Sequence, residues 1–146
     1  MRRGEIWWAD LGPPSGKRPV VLLSREEAYA VRTAVSVAPL TRTVRHIPVE
    51  VPLDEKDGLP KPCVVNLDSI VTIPKRLLVS RITSLSPDEM HLIRAAIRFA
   101  LDLYDRRRGL LKRARRQFYG RRHESVIQYN YNRFHGFPKK QRGAYG

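Results

Sequence analysis

The sequence predicts a small, mainly β domain, a barrel of short strands followed by one C-terminal helix, with a basic extension behind it. Three observations carry that expectation. Short runs of alternating or continuous apolar residues, each stopped by Pro, Gly or Asp, fill residues 5–83. One amphipathic stretch with a complete N-terminal capping signature follows at 86–103. Beyond residue 103 the apolar periodicity stops and arginine takes over.

The elements follow in order. "EIWWADL" (5–11) is a strand candidate, and "GPPSGK" (12–17) is an irregular loop. "RPVVLLS" (18–24) is a second strand, with Pro19 allowed only at its start or on an edge because it donates no ladder hydrogen bond. In "SREE" (24–27), Ser24 as N-cap and Glu27 form a capping box for one short helical turn. "TAVSVAPL" (33–40) alternates and stops at Pro39; "IPVEVPL" (47–53) alternates again, and "DEKDG" (54–58) has turn chemistry. "CVVNLDSIVTIP" (63–74) reads as two short strands or one bent strand, and "LLVSRIT" (77–83) as another. Ser86 is the N-cap of the helix, Pro87 its first residue, and Glu89 closes a second capping box. Met90, Ile93, Ile97, Ala100 and Leu101 recur at helical spacing, widened by Leu92, Phe99 and Leu103. This stripe is expected to cover the barrel and, with what is left over, to face a second subunit.

Of the 146 residues, 1–103 hold 15 Lys+Arg against 12 Asp+Glu, whereas 104–146 hold 13 against 2. The net charge of +14 is therefore mostly a property of the extension. The expected division is a folded domain over 1–103 and a basic extension over 104–146 that is disordered in isolation. Arginine interleaved with Tyr and Phe in that extension suits RNA, whose bases stack on such planes. The lone cysteine, Cys63, excludes an internal disulfide and fits a reducing compartment; at the start of a strand it reads as a packed thiol rather than a nucleophile. No apolar run approaches the roughly 20 residues of a membrane span, and "MRRGEIWWADL" lacks the apolar segment of a signal peptide. The expected location is the cytoplasm, away from membranes.

His46, His91, His123 and His135 have no ligand-like spacing with Cys63 or with paired carboxylates, so neither a metal nor another cofactor is expected. A Gly-rich phosphate loop, a nucleophile elbow and a carboxylate dyad are all missing from the sequence. What remains is a set of polar groups at strand ends. Arg18 opens the second strand, and Thr41 closes the third in "VAPLTRTVRH" (37–46). If these strands are antiparallel neighbours, Arg18 and Thr41 meet at one end of the sheet. Arg42, Arg45 and His46 follow on the next loop, and Lys17 precedes Arg18, so that rim is cationic. A phosphodiester there would meet a planar guanidinium and a hydroxyl donor. The plainer reading makes Arg18 a rim charge and Thr41 a turn residue.

In order, "RGEIWWADL", "KRPVVLLS", "VAPLT", "VVNLDSIVTIPKRLL" and "ITSLSPDEMHLIRAAI" resemble the MazF/PemK family of toxin–antitoxin ribonucleases, over about residues 3–103. The resemblance implies an SH3-like barrel of the MazF/PemK/CcdB type with a C-terminal helix, in a homodimer. It implies metal-independent, sequence-selective cutting of single-stranded RNA, mRNA above all, leaving a 2′,3′-cyclic phosphate and a 5′-hydroxyl. By position, the family's catalytic arginine falls on Arg18 and its catalytic threonine on Thr41. Lys17, Arg42 and Arg45 then become RNA contacts, and His46 a proton-transfer or substrate-contact residue. The implied partner is a cognate antitoxin whose acidic, disordered segment covers the cationic groove, with DNA binding by the pair. Two other readings fit the residues: a gyrase-poisoning toxin on the same barrel without catalysis, and an RNA-binding protein driven by the tail. The sequence departs from the family in its first loop, "GPPSGKRP", which is short and lacks the glutamate many relatives carry.

Overall fold

The computed structural model describes residues 1–103. The extension 104–146, with its expected disorder and RNA contacts and with His123 and His135, lies outside the described residues. Strand β2 (Lys17–Leu22) organises the rest: Val20, Val21 and Leu22 are all fully buried, so apolar partners cover both faces of its second half. A continuous branched run of this kind suits an interior strand, because successive side chains leave on opposite faces. One neighbour is β1 (Glu5–Asp10), paired antiparallel from Ile6↔Val21 to Asp10↔Lys17. The other is β3 (Ala34–Thr41), paired Leu22↔Val37, Val21↔Ala38 and Val20↔Pro39.

Strand β3 is long enough to serve two partners on its far edge. Its first half pairs with β6 (Val71–Pro74), and its end pairs with β5 (Cys63–Asn66), which in turn pairs with β4 (Glu50–Leu53). On the other side β1 pairs with β7 (Leu78–Ser84), with two irregularities in register. The strand path β4-β5-β3-β2-β1-β7, with β6 beside β3, leaves its two ends unjoined, so the curled sheet is an open barrel rather than a closed one. Residues 63–74 are two strands, separated by a 3-10 turn at Leu67–Ser69 that Asn66 caps through Asp68 N–H at 3.0 Å.

Ala9, Val20, Leu22, Val35, Val37, Ile73 and Leu78 form a core on one side of the sheet. Helix α2 (Pro87–Ala100) lies against β4 and the 3-10 turn and buries Met90, Leu92, Ile93 and Ala96. The capping box is formed as expected: Ser86 Oγ accepts from Glu89 N at 3.3 Å, and a Glu89 oxygen accepts from Ser86 N at 2.7 Å. A helix of this length is marginal alone, and each large apolar side chain it buries contributes about 1.5–3 kcal/mol, so packing decides that it forms. The buried face is narrower than the predicted stripe. Leu101 and Leu103 are more than half exposed, at 56% and 59%, and the small Ala96 takes a place in the core instead. No helix among the described residues is long and apolar enough to cross a membrane.

Two local expectations need correction. Ser24 caps no helix; its Oγ accepts from Ser36 N at 2.8 Å, tying the end of β2 to β3. The short helix α1 (Ala28–Val31) begins later, with Glu27 at its N-cap position and no side-chain cap hydrogen bond. Residues 47–53 do not alternate between core and solvent either: all of β4 is buried, Glu50 included.

Replacing Ser86 with Ala removes the cap of α2, the one long helix among the described residues. Urea unfolding of Ser86→Ala is expected to show a loss of about 1 kcal/mol without a change in slope.

Candidate active site at the open end of strands β2 and β3

Strand β2 runs antiparallel to β3, so the start of one lies at the same end of the sheet as the finish of the other. The register ends at Val20↔Pro39; continued by two residues, its spacing sets Arg18 across from Thr41. Arg18 is itself paired with Ala9 on β1, and Thr41 with Val64 on β5. By the two-residue period, Arg18 leaves on the face of Val20 and Leu22, and Thr41 on the face of Val35 and Val37. Those four belong to one core cluster, which the two polar residues extend to its rim.

The first loop aims the guanidinium. Leu11 N donates to Gly16 O at 3.1 Å, Gly16 N to Gly12 O at 2.7 Å, and Gly12 N to Asp10 Oδ1 at 3.2 Å. Gly12 and Gly16 sit at φ 67° and 64°, in the left-handed region that glycine enters at little cost. The folded-back loop presents the Ser15 carbonyl to Arg18, which donates to it through Nε at 2.9 Å and also through Nη2. An arginine held by one edge keeps its opposite, Nη1 edge as a preset anion donor. Thr41 is tied too: its Oγ1 accepts from Thr43 N at 3.1 Å, an Asx-like local bond that leaves the hydroxyl hydrogen free to donate elsewhere.

Arg42, Arg45 and His46 are exposed on the loop leading from β3 to β4. That loop is tied down from inside the protein. Glu50, fully buried, accepts from Arg45 N at 2.8 Å and His46 N at 3.1 Å through the same oxygen. The Arg45 guanidinium approaches its other oxygen at 3.8 Å. Lys17, by contrast, does not share a face with Arg18. It leaves on the other side of β2, its ammonium 5.8 Å from the centre of the Trp8 ring. Sequence reasoning missed both anchors. The Ser15 carbonyl carries no side-chain signal, and Glu50 sat where an alternating strand would point it to water.

Among the described residues no three of His, Cys, Asp and Glu gather as a metal-binding group. The groups at this end of the sheet, Arg18, Thr41, Arg42 and Arg45, are cations and a hydroxyl, the types of group that bind phosphate oxygens directly. Cys63 is buried, and burial, aided by nearby Asp57, pushes its thiol up to about 12. That thiol is packing, as the sequence implied.

The comparisons with known proteins place the chain in a family. Residues 2–101 match the family described as the PemK-like, MazF-like toxin of type II toxin–antitoxin systems. The chain belongs to this family. The probable endoribonuclease MazF2 of Mycobacterium tuberculosis is 44% identical over 92 residues, covering 62% of this chain and 88% of the relative. MazF5 of the same organism, also a probable endoribonuclease, is 39% identical over 101 residues, covering 68% and 92%. Among solved structures, the M. tuberculosis toxin MazF-mt6 superposes with a TM-score of 0.63 at 39% identity, over 67% of this chain and 96% of that one. An endoribonuclease from a mycobacterial species, solved with its cognate antitoxin, superposes with a TM-score of 0.65 at 31% identity, over 71% and 97%. The MazF-like core thus accounts for nearly the whole of each relative, and residues 104–146 stand outside the match.

With its thiol raised from about 9 to about 12, native Cys63 holds roughly a thousandth of the thiolate of an ordinary cysteine at pH 8. Iodoacetamide labelling followed by mass spectrometry is expected to be at least about a hundredfold slower in buffer than in urea. The sign of the linkage is set by the same shift. Burial of the neutral thiol contributes stability below pH 9, and that contribution is lost as pH rises from about 9 toward about 12.

Proposed function

We infer that this chain is an endoribonuclease, the toxin of a toxin–antitoxin pair, and that it cuts single-stranded RNA, including mRNA, by attack of a ribose 2′-hydroxyl on the adjacent phosphorus. One observation carries the finer reading: Arg18 and Thr41, two oriented donors, finish at one end of the sheet above a common core. In the attack the 2′-oxygen–phosphorus bond forms and the phosphorus–5′-oxygen bond breaks. The 2′-hydroxyl gives up a proton, and the departing 5′-oxygen takes one. The products are a 2′,3′-cyclic phosphate and a 5′-hydroxyl, and DNA, lacking the nucleophile, is spared.

Negative charge concentrates on the phosphoryl oxygens as the fifth bond forms. Donors held in place beforehand lower that barrier, because nothing has to reorganise at the moment of reaction. Arg18 supplies a fixed positive charge there, and Thr41 a hydroxyl hydrogen. Arginine stays protonated, so its part is electrostatic. His46, on the adjoining loop, carries an imidazole, a group able to take and give a proton. Arg42 and Arg45 meet flanking phosphates; Lys17, turned toward Trp8, reaches only strand that bends around the rim. No metal is needed by this scheme. The partners that fit are an antitoxin with an acidic, disordered segment, since a 31%-identical relative is solved with its cognate antitoxin, and a second copy of the chain, toward which exposed Leu101 and Leu103 can turn.

The test is cleavage of a defined single-stranded RNA by the full chain in EDTA, with the ends identified by sequencing. Arg18→Ala is expected to lose about 10²–10³ in kcat, and Thr41→Val a comparable or smaller factor. Undiminished cleavage by Arg18→Ala would sink the assignment. Stopping the chain after Leu103 separates a barrel-borne site from a tail-borne one. Cleavage should survive that truncation.

A further inference from the structure

Glu50 has no place in the chemistry just described, yet it is the buried charged residue among those described, with no exposure at all. A carboxylate withdrawn from water is costly unless hydrogen bonds and opposite charge surround it, and an apolar side chain of similar size usually stabilises a core at least as well. Burial in β4 therefore does not by itself account for a glutamate at this position. What it does hold is the loop before it. The carboxylate accepts from the backbone of Arg45 and His46 at 2.8 and 3.1 Å, and Arg45 Nη1 stands 3.8 Å away. His46 lies at φ 59°, a left-handed conformation that costs a non-glycine residue energy and persists only where its surroundings enforce it. The hydrogen bonds to Glu50 from His46 and from the residue before it supply that enforcement.

We propose that Glu50 is a positioning residue for RNA cleavage, its buried carboxylate setting the course of the loop from Arg42 to Val49 and so the placement of Arg45 and His46 against the substrate. The inference rests on the endoribonuclease reading above. The carboxylate draws the two loop amides inward, which turns the intervening backbone toward the barrel and leaves the Arg45 and His46 side chains exposed on the rim. Arg45 is thereby restrained by its own ion pair, so it offers RNA a located charge rather than a mobile one.

Glu50→Met keeps the side-chain length and removes the acceptor and the charge. In the full chain this variant is expected to stay folded, at a urea midpoint lowered by the two loop amides it leaves without an acceptor. Amide exchange at Arg45 and His46 should accelerate about tenfold or more, and kcat/KM on a defined RNA should fall roughly 10–100-fold, the range of a lost hydrogen bond to a charged group. Glu50→Gln, whose carbonyl oxygen can take over both amides but not the ion pair, should recover part of the protection and part of the rate. Cleavage by Glu50→Met at the parental kcat/KM, or unchanged exchange at Arg45 and His46, overturns the proposal. If Glu50→Met does not fold, Glu50→Gln and Glu50→Asp decide: kcat/KM must fall in the order in which exchange at the two amides rises, and activity independent of exchange overturns it. Should the parent itself leave RNA intact, the endoribonuclease reading fails, whereas the exchange comparison still decides whether Glu50 holds the loop.

Discussion

Burial of β2 on both faces is the constraint from which the rest of this structure follows. Val20, Val21 and Leu22 cannot reach water from either side, so β1 and β3 must flank the strand and further elements must cover both surfaces. Only the first residues of β2 escape, and there the chain places Lys17, Arg18 and Pro19. Pro19 stands opposite Trp8, at the point where the apolar run gives way to cations. A strand fully committed to the core thus delivers a guanidinium to its rim on a rigid support. Sites carried on such elements are more exact than sites carried on loops.

The loops that complete the rim are not left to themselves. One is held by backbone, through the Ser15 carbonyl on Arg18 and the hydrogen bonds that close Leu11–Gly16; the other is held by the carboxylate of Glu50. Both devices spend polar groups inside or against the fold to restrict groups outside it. The opposite end of β1 shows the same economy used for stability. Burial alone would raise the Glu5 carboxyl, but Trp7 Nε1 at 2.9 Å, the Arg2 amide, the terminal ammonium and Arg81 at 3.2 Å together hold it below its ordinary value. There the charge belongs to the framework. At the β2–β3 end, by contrast, the charges of Arg42 and Arg45 stand exposed on the rim.

Much of the fold was legible because its signals are local. The short strand runs and the Ser86–Glu89 box depend on residues within a few positions of one another, and they appear where the sequence placed them, although β3 runs through Pro39 to Thr41 instead of stopping there. The failures were equally physical. Ser24 resembled a helix cap because its neighbours suit one, but a hydroxyl next to β3 found Ser36 instead. The helical stripe looked wider than its buried face because periodicity records which residues could be covered, not how much surface the barrel offers. Glu50 looked solvent-facing because alternation assumes that water lies on one side of the strand, and β4 has protein on both.

Composition and short-range order were enough to read the strands, the helix with its cap, the concentration of charge in residues 104–146 and the candidates for meeting a phosphate. Which of those residues share a face depends on how the strands pair. Antiparallel pairing of β2 with β3 brings Arg18 and Thr41, 23 positions apart in the chain, to the same end of the sheet, while the pleat of a single strand separates Arg18 from its immediate neighbour Lys17. Nearness along the chain and nearness in space part company there, because a strand sends adjacent side chains to opposite faces and a sheet sets distant strands side by side.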